Sequence, residues 1–431
     1  MSNKRVEIVS NSDLEFEENL ITDHNVFRRL LTAEDIKEII RRVLNKNAEI
    51  IDYSLRPYSN GKIGFLGSHQ KLCITTGHND EKKTFFFFAK IIPYDVPDQA
   101  DYIIAKGIFN KEVTFYNEII PILNENYQGE RWSPNCYKIK DNYLIFEDLQ
   151  KEGYTMRSKL FNEELTTAAL TTIARMHAAS LMAEDRLAMP LNEIYPNAFD
   201  EKGFIWTGQT KEWIDAGIKA AVEIAKNLGL DSSLIPMASP KIMDAIRASA
   251  KKSNVISHGD LWANNLMFNN DKPPRCLLID FQLLRYCPLA HDVSQLLYLC
   301  TSRNFRETRE KDMLKHYYKV LCDTLKAHSF TGQCPSWYEL IQGMEEQRLG
   351  SLITAISSRS SRSSDLKTKI YFIYIYTIFY PRLFNYFQSN IYIIKCLIFN
   401  YLENLSFEDR SFCDSKDIIN VAQSIFIGGN V

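Results

Sequence analysis

Residues Val255–Asp292 read VISHGDLWANNLMFNNDKPPRCLLIDFQLLRYCPLAHD, and this stretch decides the fold. An apolar run, Val255-Ile256, breaks at His258-Gly259-Asp260, and Asn265 follows five positions after Asp260. A short strand-like piece, Leu266-Met267-Phe268, leads into the turn-forming cluster Asn269 to Pro274. The chain returns through Cys276-Leu277-Leu278-Ile279 and ends on Asp280. A hairpin of this kind sets the end of its second strand beside the start of its first. Asp260, Asn265 and Asp280 then share one edge. Two carboxylates and an amide oxygen form a hard-oxygen set suited to Mg²⁺ and a substrate hydroxyl.

His258-Gly259-Asp260-Leu261-Trp262-Ala263-Asn264-Asn265, followed by Ile279-Asp280-Phe281, resembles the catalytic core shared by protein kinases, aminoglycoside phosphotransferases and choline kinases. Trp262, the paired asparagines and Asp280-Phe281-Gln282 look most like the ecdysteroid kinase-like (CHK kinase-like) branch found in insects and other invertebrates. Read alone, the two aspartates would be ordinary turn and cap carboxylates. The asparagine at the matching offset, the hairpin and the second aspartate after an apolar strand favour the catalytic reading. No protein-kinase activation segment follows Asp280. Pro288-Leu289-Ala290-His291-Asp292 comes within a few residues, and a helix begins at Val293, with Asp292 as its cap. Gly259, not arginine, precedes Asp260, so phosphate-gated control of this loop has no anchor. A small-molecule kinase fits; a protein kinase does not.

The 431 residues are enough for a two-lobed enzyme with a sizeable core, and a net charge of -2 gives no electrostatic argument for nucleic acid. The opening MSNKRVEIVSNSDLEFEENL lacks the apolar centre of a signal peptide. The 9 cysteines are scattered without a CxxC pair, which suits reduced thiols and a cytoplasmic setting.

In chain order, residues 1–48 form an N-terminal arm followed by a helix at Ala33 to Leu44, whose Ile36, Ile40 and Val43 share a face. Strands follow at Ile50 to Tyr58 and Gln70 to Thr76, joined by Gly61 to Ser68. Gly64 and Gly67 in this loop either let backbone N–H groups approach phosphate oxygens or mark a plain hairpin turn. Lys90 lies in the apolar strand Thr84 to Ile92 and needs an anionic partner if buried. The resemblance makes it the lysine that holds the α- and β-phosphates and pairs with a glutamate on the next helix. That helix is expected at Ala105 to Ile120. Glu112 and Glu118 are its candidate acids; Glu112 borders the apolar stripe and precedes the aromatic pair Phe115-Tyr116, as in the family, whereas Glu118 reads as a solvated charge. Strands around Cys136 and at Tyr143 to Phe146 lead to Glu147-Asp148-Leu149. By resemblance this is the hinge, where backbone groups of Glu147 and Leu149 would meet the adenine edge. Residues 49–149 would thus form the nucleotide-binding lobe.

Residues 150–350 read as a mainly helical catalytic and substrate-binding lobe. A helix is expected at Asn162 to Leu181, with His177 a satisfied core residue, and others at Phe305 to Leu325 and Pro335 to Leu349. Trp206 and Trp213 are candidate pocket lining. Ser357 to Ser364 reads as a low-complexity linker. Within the atypical segment 351–431, Ile370 to Leu402 is rich in Ile, Tyr, Phe and Asn and is either a buried helix pair or an aberrant stretch; its apolar run Ile370 to Tyr380 is too short for a membrane span, and the residues from Glu403 resemble the family's closing helix. The fold expected is α+β, two-lobed and protein-kinase-like. The resemblance implies transfer of the γ-phosphoryl group of ATP, with Mg²⁺, to a small-molecule alcohol, possible acceptors including an ecdysteroid. Asp260 would act as base, Asn265 and Asp280 as metal ligands, and Lys90 with Glu112 would position the nucleotide; no obligate protein partner is evident. The other class of function consistent with the sequence is a pseudokinase that binds ATP or a lipid-like ligand without turnover.

Overall fold

The computed structural model describes residues 30–360, except 60–66, 79–80, 159 and parts of 203–234. The chain divides into two units, Met1–Ala355 and Ile356–Val431, and the elements below belong to the first but for the last residues of the final helix. Helix α1 (Ala33–Leu44) precedes strands β1 (Glu49–Pro57), β2 (Ser68–His78) and β3 (Glu81–Ile91), and β4 (Cys136–Lys140) and β5 (Tyr143–Glu147) complete a sheet of order β1-β2-β3-β5-β4. Every neighbouring pair is antiparallel.

Strand periodicity sorts the sheet's side chains into two cores. Phe87, Ala89 and Ile91 of β3, with Tyr143 and Ile145 of β5, pack against Ile36, Ile39 and Ile40 of α1. Leu144 and Phe146 fall on the opposite face, in the large core continuous with the helical lobe, and Phe88 packs against that core. Lys90 shares the parity of Phe88 and so faces the lobe junction. Helix α1 is fixed by a capping box, with Asp35 Oδ2 accepting from Thr32 N–H at 2.9 Å and Thr32 Oγ1 accepting from Asp35 N–H at 3.2 Å. The same carboxylate meets Lys140 Nζ at 2.8 Å and Lys138 Nζ at 3.0 Å, so one residue caps the helix and ties it to β4.

Between β3 and β4 the single helix expected at Ala105 to Ile120 is broken into pieces. Helix α2 (Pro97–Lys106) ends at Gly107, which adopts φ +63° and accepts the left-handed turn without a Cβ penalty. Helix α3 (Ile108–Thr114) then runs into a π turn, Phe115–Ile119, and α4 (Ile120–Asn124) follows. Pro121 has no N–H to offer the turn before it, and Ile120 N–H reaches back to Phe115 O.

The helical lobe is built on α5 (Glu163–Leu187), capped by Asn162 accepting from Leu165 N–H at 3.0 Å. Short helices α6 (Leu191–Ile194) and α7 (Pro196–Phe199), then α8 (Ala238–Ala245), precede β6 (Asn254–Ser257), β7 (Leu266–Phe268), β8 (Cys276–Leu278) and β9 (Arg285–Pro288). β7 pairs with β8 and β6 with β9, both antiparallel. Helices α9 (Ala290–Cys300), α10 (Arg303–Ala327) and α11 (Trp337–Ser360) finish the lobe. Helix α11 carries Ser357 to Ser360, so the expected linker begins as helix; the rest of it, and the segment to Val431, lie outside the described residues. A five-stranded antiparallel sheet with one flanking helix region, followed by a mainly helical lobe, is the two-lobed protein-kinase-like fold.

Burial pushes the Asp35 carboxyl up, but Lys140, Thr32 and Lys138 together hold it far below the ordinary 3.8. Its contribution is therefore present above that value and lost as pH falls through and below it. Asp35→Ala should cost about 1–3 kcal/mol at pH 7. Denaturant unfolding at pH 7 and in acid checks this: the gap between wild type and variant should narrow as the pH drops.

Candidate active site

The loop from His258 to Asn265 joins β6 to β7, and its shape is imposed from below by α9. Asp292 Oδ2 accepts from His258 N–H at 2.7 Å, Asp292 Oδ1 from Gly259 N–H at 3.1 Å, and Gln295 Oε1 from Leu261 N–H at 3.1 Å. Gly259 has φ +78°, and a Cβ there would lie 2.1 Å from Leu283 O, so only glycine fits. Asp292 does not cap its helix as expected. Leu289 holds the cap position without a side-chain bond, and the Asp292 carboxylate turns instead to the loop backbone. His177 Nε2 supports it at 3.2 Å, and His177 Nδ1 meets Tyr317 OH at 2.7 Å. Burial raises the Asp292 carboxyl, but the His177 hydrogen bond and the surrounding histidines bring it down to about 2. His177 is thus the satisfied core residue expected, placed one contact from the loop.

At the loop's far end, Asn265 donates to Asp260 twice, to the backbone O at 2.8 Å and to Oδ2 at 3.0 Å. Both amide hydrogens are engaged by these bonds, which leaves Oδ1 as the atom able to face a cation. Ile279 N–H donates to Asn265 O at 3.0 Å, and this hairpin bond sets Asp280 beside the loop. His258 accepts from Asp260 N–H at Nδ1 (3.3 Å) and donates from Nε2 to Ile279 O (2.9 Å), bridging the two strands again. Burial and the Asp280 charge push the Asp260 carboxyl above the ordinary range, against His258, Arg285 and Asn265.

Asp280 sits in the left-handed region, φ +69°, a conformation aspartate tolerates. Its Oδ1 lies 2.5 Å from Lys90 Nζ, and Glu112 Oε2 lies 2.5 Å from the same nitrogen. The other oxygen of Glu112 accepts from Phe281 N–H at 3.1 Å. Burial opposes the Lys90 charge, yet Asp280 and Glu112 hold its ionisation above that of a free lysine. Phe281 is fully buried and stacks on Phe115 at 4.4 Å, so the turn after Asp280 is anchored to the helix that carries Glu112. Glu118 is exposed, as expected of a solvated charge.

A lysine on β3, an acid on the next helix and an Asp–Asn–Asp set on a loop and hairpin thus converge from sequence positions far apart. Residues 70–330, more than half of the chain, match the model of the ecdysteroid kinase-like family. The chain belongs to the ecdysteroid kinase-like family. It is similar to an uncharacterized kinase-like protein of Caenorhabditis elegans, 26% identical over 326 residues that cover 69% of this chain and 81% of the relative. Among solved structures it is similar to an ethanolamine kinase of Plasmodium vivax (14% identity, 75% of this chain and 80% of that one, TM-score 0.39). It is likewise similar to a macrolide 2'-phosphotransferase of Brachybacterium faecium (10% identity, 76% and 94%, TM-score 0.35).

For this ecdysteroid kinase-like chain the residues around the cleft differ in how they meet expectation. Gly67 lies over Lys90, where a Cβ would make ordinary contact at 3.4 Å with Lys90 Cγ; Gly64 falls outside the described residues, as do Trp206 and Trp213. Glu147 N–H donates to Asn135 O at 3.1 Å, and its carboxylate turns to Arg131 and to Asn135 N–H. Leu149 O accepts from Tyr154 N–H at 2.9 Å, and the Leu149 side chain joins Tyr154, Met267 and Leu277 in a small apolar cluster packed with Ile279 beside Asp280. Sequence reasoning missed Tyr58, whose OH donates to the buried Asp148 at 3.1 Å while its ring meets Phe88 edge-on at 4.8 Å. Asp292 was read as a helix cap, whereas its carboxylate accepts from the loop amides. Among the described residues no cluster of three or more His, Cys, Asp or Glu could hold a metal by itself. Asp280 and Asn265 fit Mg²⁺, which takes few protein oxygens and completes its shell with phosphate and water.

Removing the Asp292 carboxylate would leave two buried backbone N–H groups without an acceptor. Asp292→Ala should lower stability by about 3 kcal/mol or more. A thermal melt within a degree of wild type would contradict the role assigned to this residue.

Proposed function

We propose that the chain is an ATP-dependent phosphotransferase acting on a hydroxyl of a small apolar molecule, with steroid alcohols of the ecdysteroid type as the first acceptors to test. One observation carries the reading: Lys90 is held between Glu112 and Asp280 while Asp280 stands beside the Asp260–Asn265 pair. Isolated structural ion pairs do not require all five groups at one lobe junction. In this reading Lys90, fixed by Glu112, binds the α- and β-phosphates. Asp260 orients the acceptor hydroxyl and accepts its proton as the new O–P bond forms and the bond to ADP breaks. Asn265 keeps the Asp260 carboxylate aimed, and with Asp280 it supplies the oxygens that would hold Mg²⁺. Bound there, the ion would offset charge on the phosphates. Leu149 and its apolar neighbours would receive the base.

The described cysteines are free, which supports a reducing, cytoplasmic setting. Among the described residues no helix is long and apolar enough to cross a membrane.

ADP release by the purified full-length protein, with ATP, Mg²⁺ and a panel of steroid and other apolar alcohols, tests the proposal. ATP binding without turnover on any acceptor would assign the chain to the non-catalytic reading. Asp260→Ala should lose about 10²–10⁴-fold in kcat and keep its affinity for ATP; a variant that melts earlier yet turns over normally would make Asp260 a turn residue only. Asp280→Asn should abolish turnover without unfolding the protein, and near-normal activity would remove Asp280 from the site. Because the Asp260 carboxyl is raised and the base must be ionised, the acid limb of kcat should lie above the ordinary carboxylate value of 3.8.

A further inference from the structure

The side chain missing at Gly259 is compensated by one that arrives from β9. Arg285 is 2% exposed, and its guanidinium donates to Gly259 O, the carbonyl immediately before Asp260. The same guanidinium forms a fork with Glu201, Nε to Oε2 at 2.6 Å and Nη2 to Oε1 at 3.0 Å. Lys111, next to Glu112 on α3, donates to Asp200 O at 2.7 Å and Leu284 O at 2.8 Å. Those carbonyls belong to the residues just before Glu201 and Arg285. One buried network therefore joins the helix that carries Glu112 to the loop that carries Asp260.

We propose that Arg285, oriented by Glu201, is a positioning residue for the catalytic loop, and that the permanent Glu201 carboxylate presets this loop with no phosphoryl group required. A planar five-donor head can satisfy a carboxylate with two N–H groups and still present a third to a backbone oxygen; an ammonium cannot reproduce that fork. Lys111 makes the setting common to both halves of the site. The inference rests on the phosphotransferase reading for its catalytic consequence, but the loop-holding itself does not.

The test uses the full-length chain and two variants, Glu201→Gln and Arg285→Lys. Glu201 is only partly buried, so Glu201→Gln is expected to fold even if the buried Arg285→Lys does not. Glu201→Gln should lower kcat about 10–100-fold. The KM for ATP should hold, and the amides of residues 258–265 should exchange hydrogen faster. Arg285→Lys should also lose kcat, because an ammonium keeps the charge but not the fork. A folded Glu201→Gln protein with wild-type kcat and wild-type exchange would overturn the proposal. So would a loss of kcat that only follows the folded fraction while the exchange of residues 258–265 stays unchanged. If the wild-type protein turns over no acceptor, the phosphotransferase reading has failed by itself. The exchange rates then decide: faster exchange at unchanged melting temperature supports the loop-holding, and unchanged exchange overturns it.

Discussion

The buried ammonium of Lys90 draws the carboxylates of this site into one geometry. Its neighbours on β3 are aromatic and aliphatic, so the charge has no access to water and must be met by carboxylates. Glu112 comes from α3 and Asp280 from the turn after β8, and each lies 2.5 Å from the nitrogen. Removing one partner of such a set leaves an uncompensated buried charge, which costs about 3–5 kcal/mol. The sheet, the broken helix and the hairpin are therefore not independent. Each delivers one member of a group that is costly when incomplete.

The backbone around this triad is arranged to the same end. Glu112 spends its second oxygen on Phe281 N–H, and the Phe281 ring stacks on Phe115 inside the π turn. The irregularity forced by Pro121 thus falls where the helix must present both a carboxylate and an aromatic face. Asp260 and Asp280, two carboxylates near each other, are separated in environment: one is bound to an asparagine amide, the other to a lysine. Such asymmetry lets like groups take different roles.

The parts of the fold written locally were legible in the sequence. The hairpin from Leu266 to Leu278 is announced by two apolar runs and a cluster of turn residues, and Lys90 by its place in an apolar strand. Glu112 was chosen because it borders the apolar stripe and because the resemblance places an acid before the aromatic pair Phe115-Tyr116. The break at Gly107 was not legible, since a glycine inside an apolar periodic pattern does not announce a left-handed turn. Asp292 read as a cap because its true partners, the amides of His258 and Gly259, lie 34 and 33 residues away. The pairing of Arg285 with Glu201 spans 84 residues and leaves no local trace. Long-range polar contacts between buried groups depend on the finished fold, and no periodicity encodes them.

The carbonyl of Leu283 that closes the space above Gly259 also limits how this lineage can change. Any substitution at position 259 collides with backbone rather than with a side chain that could move aside. A long basic side chain there is not one mutation away, because the turn after Phe281 would have to be rerouted first. A phosphate read by a basic side chain at position 259 would therefore require the backbone at Leu283 to move first.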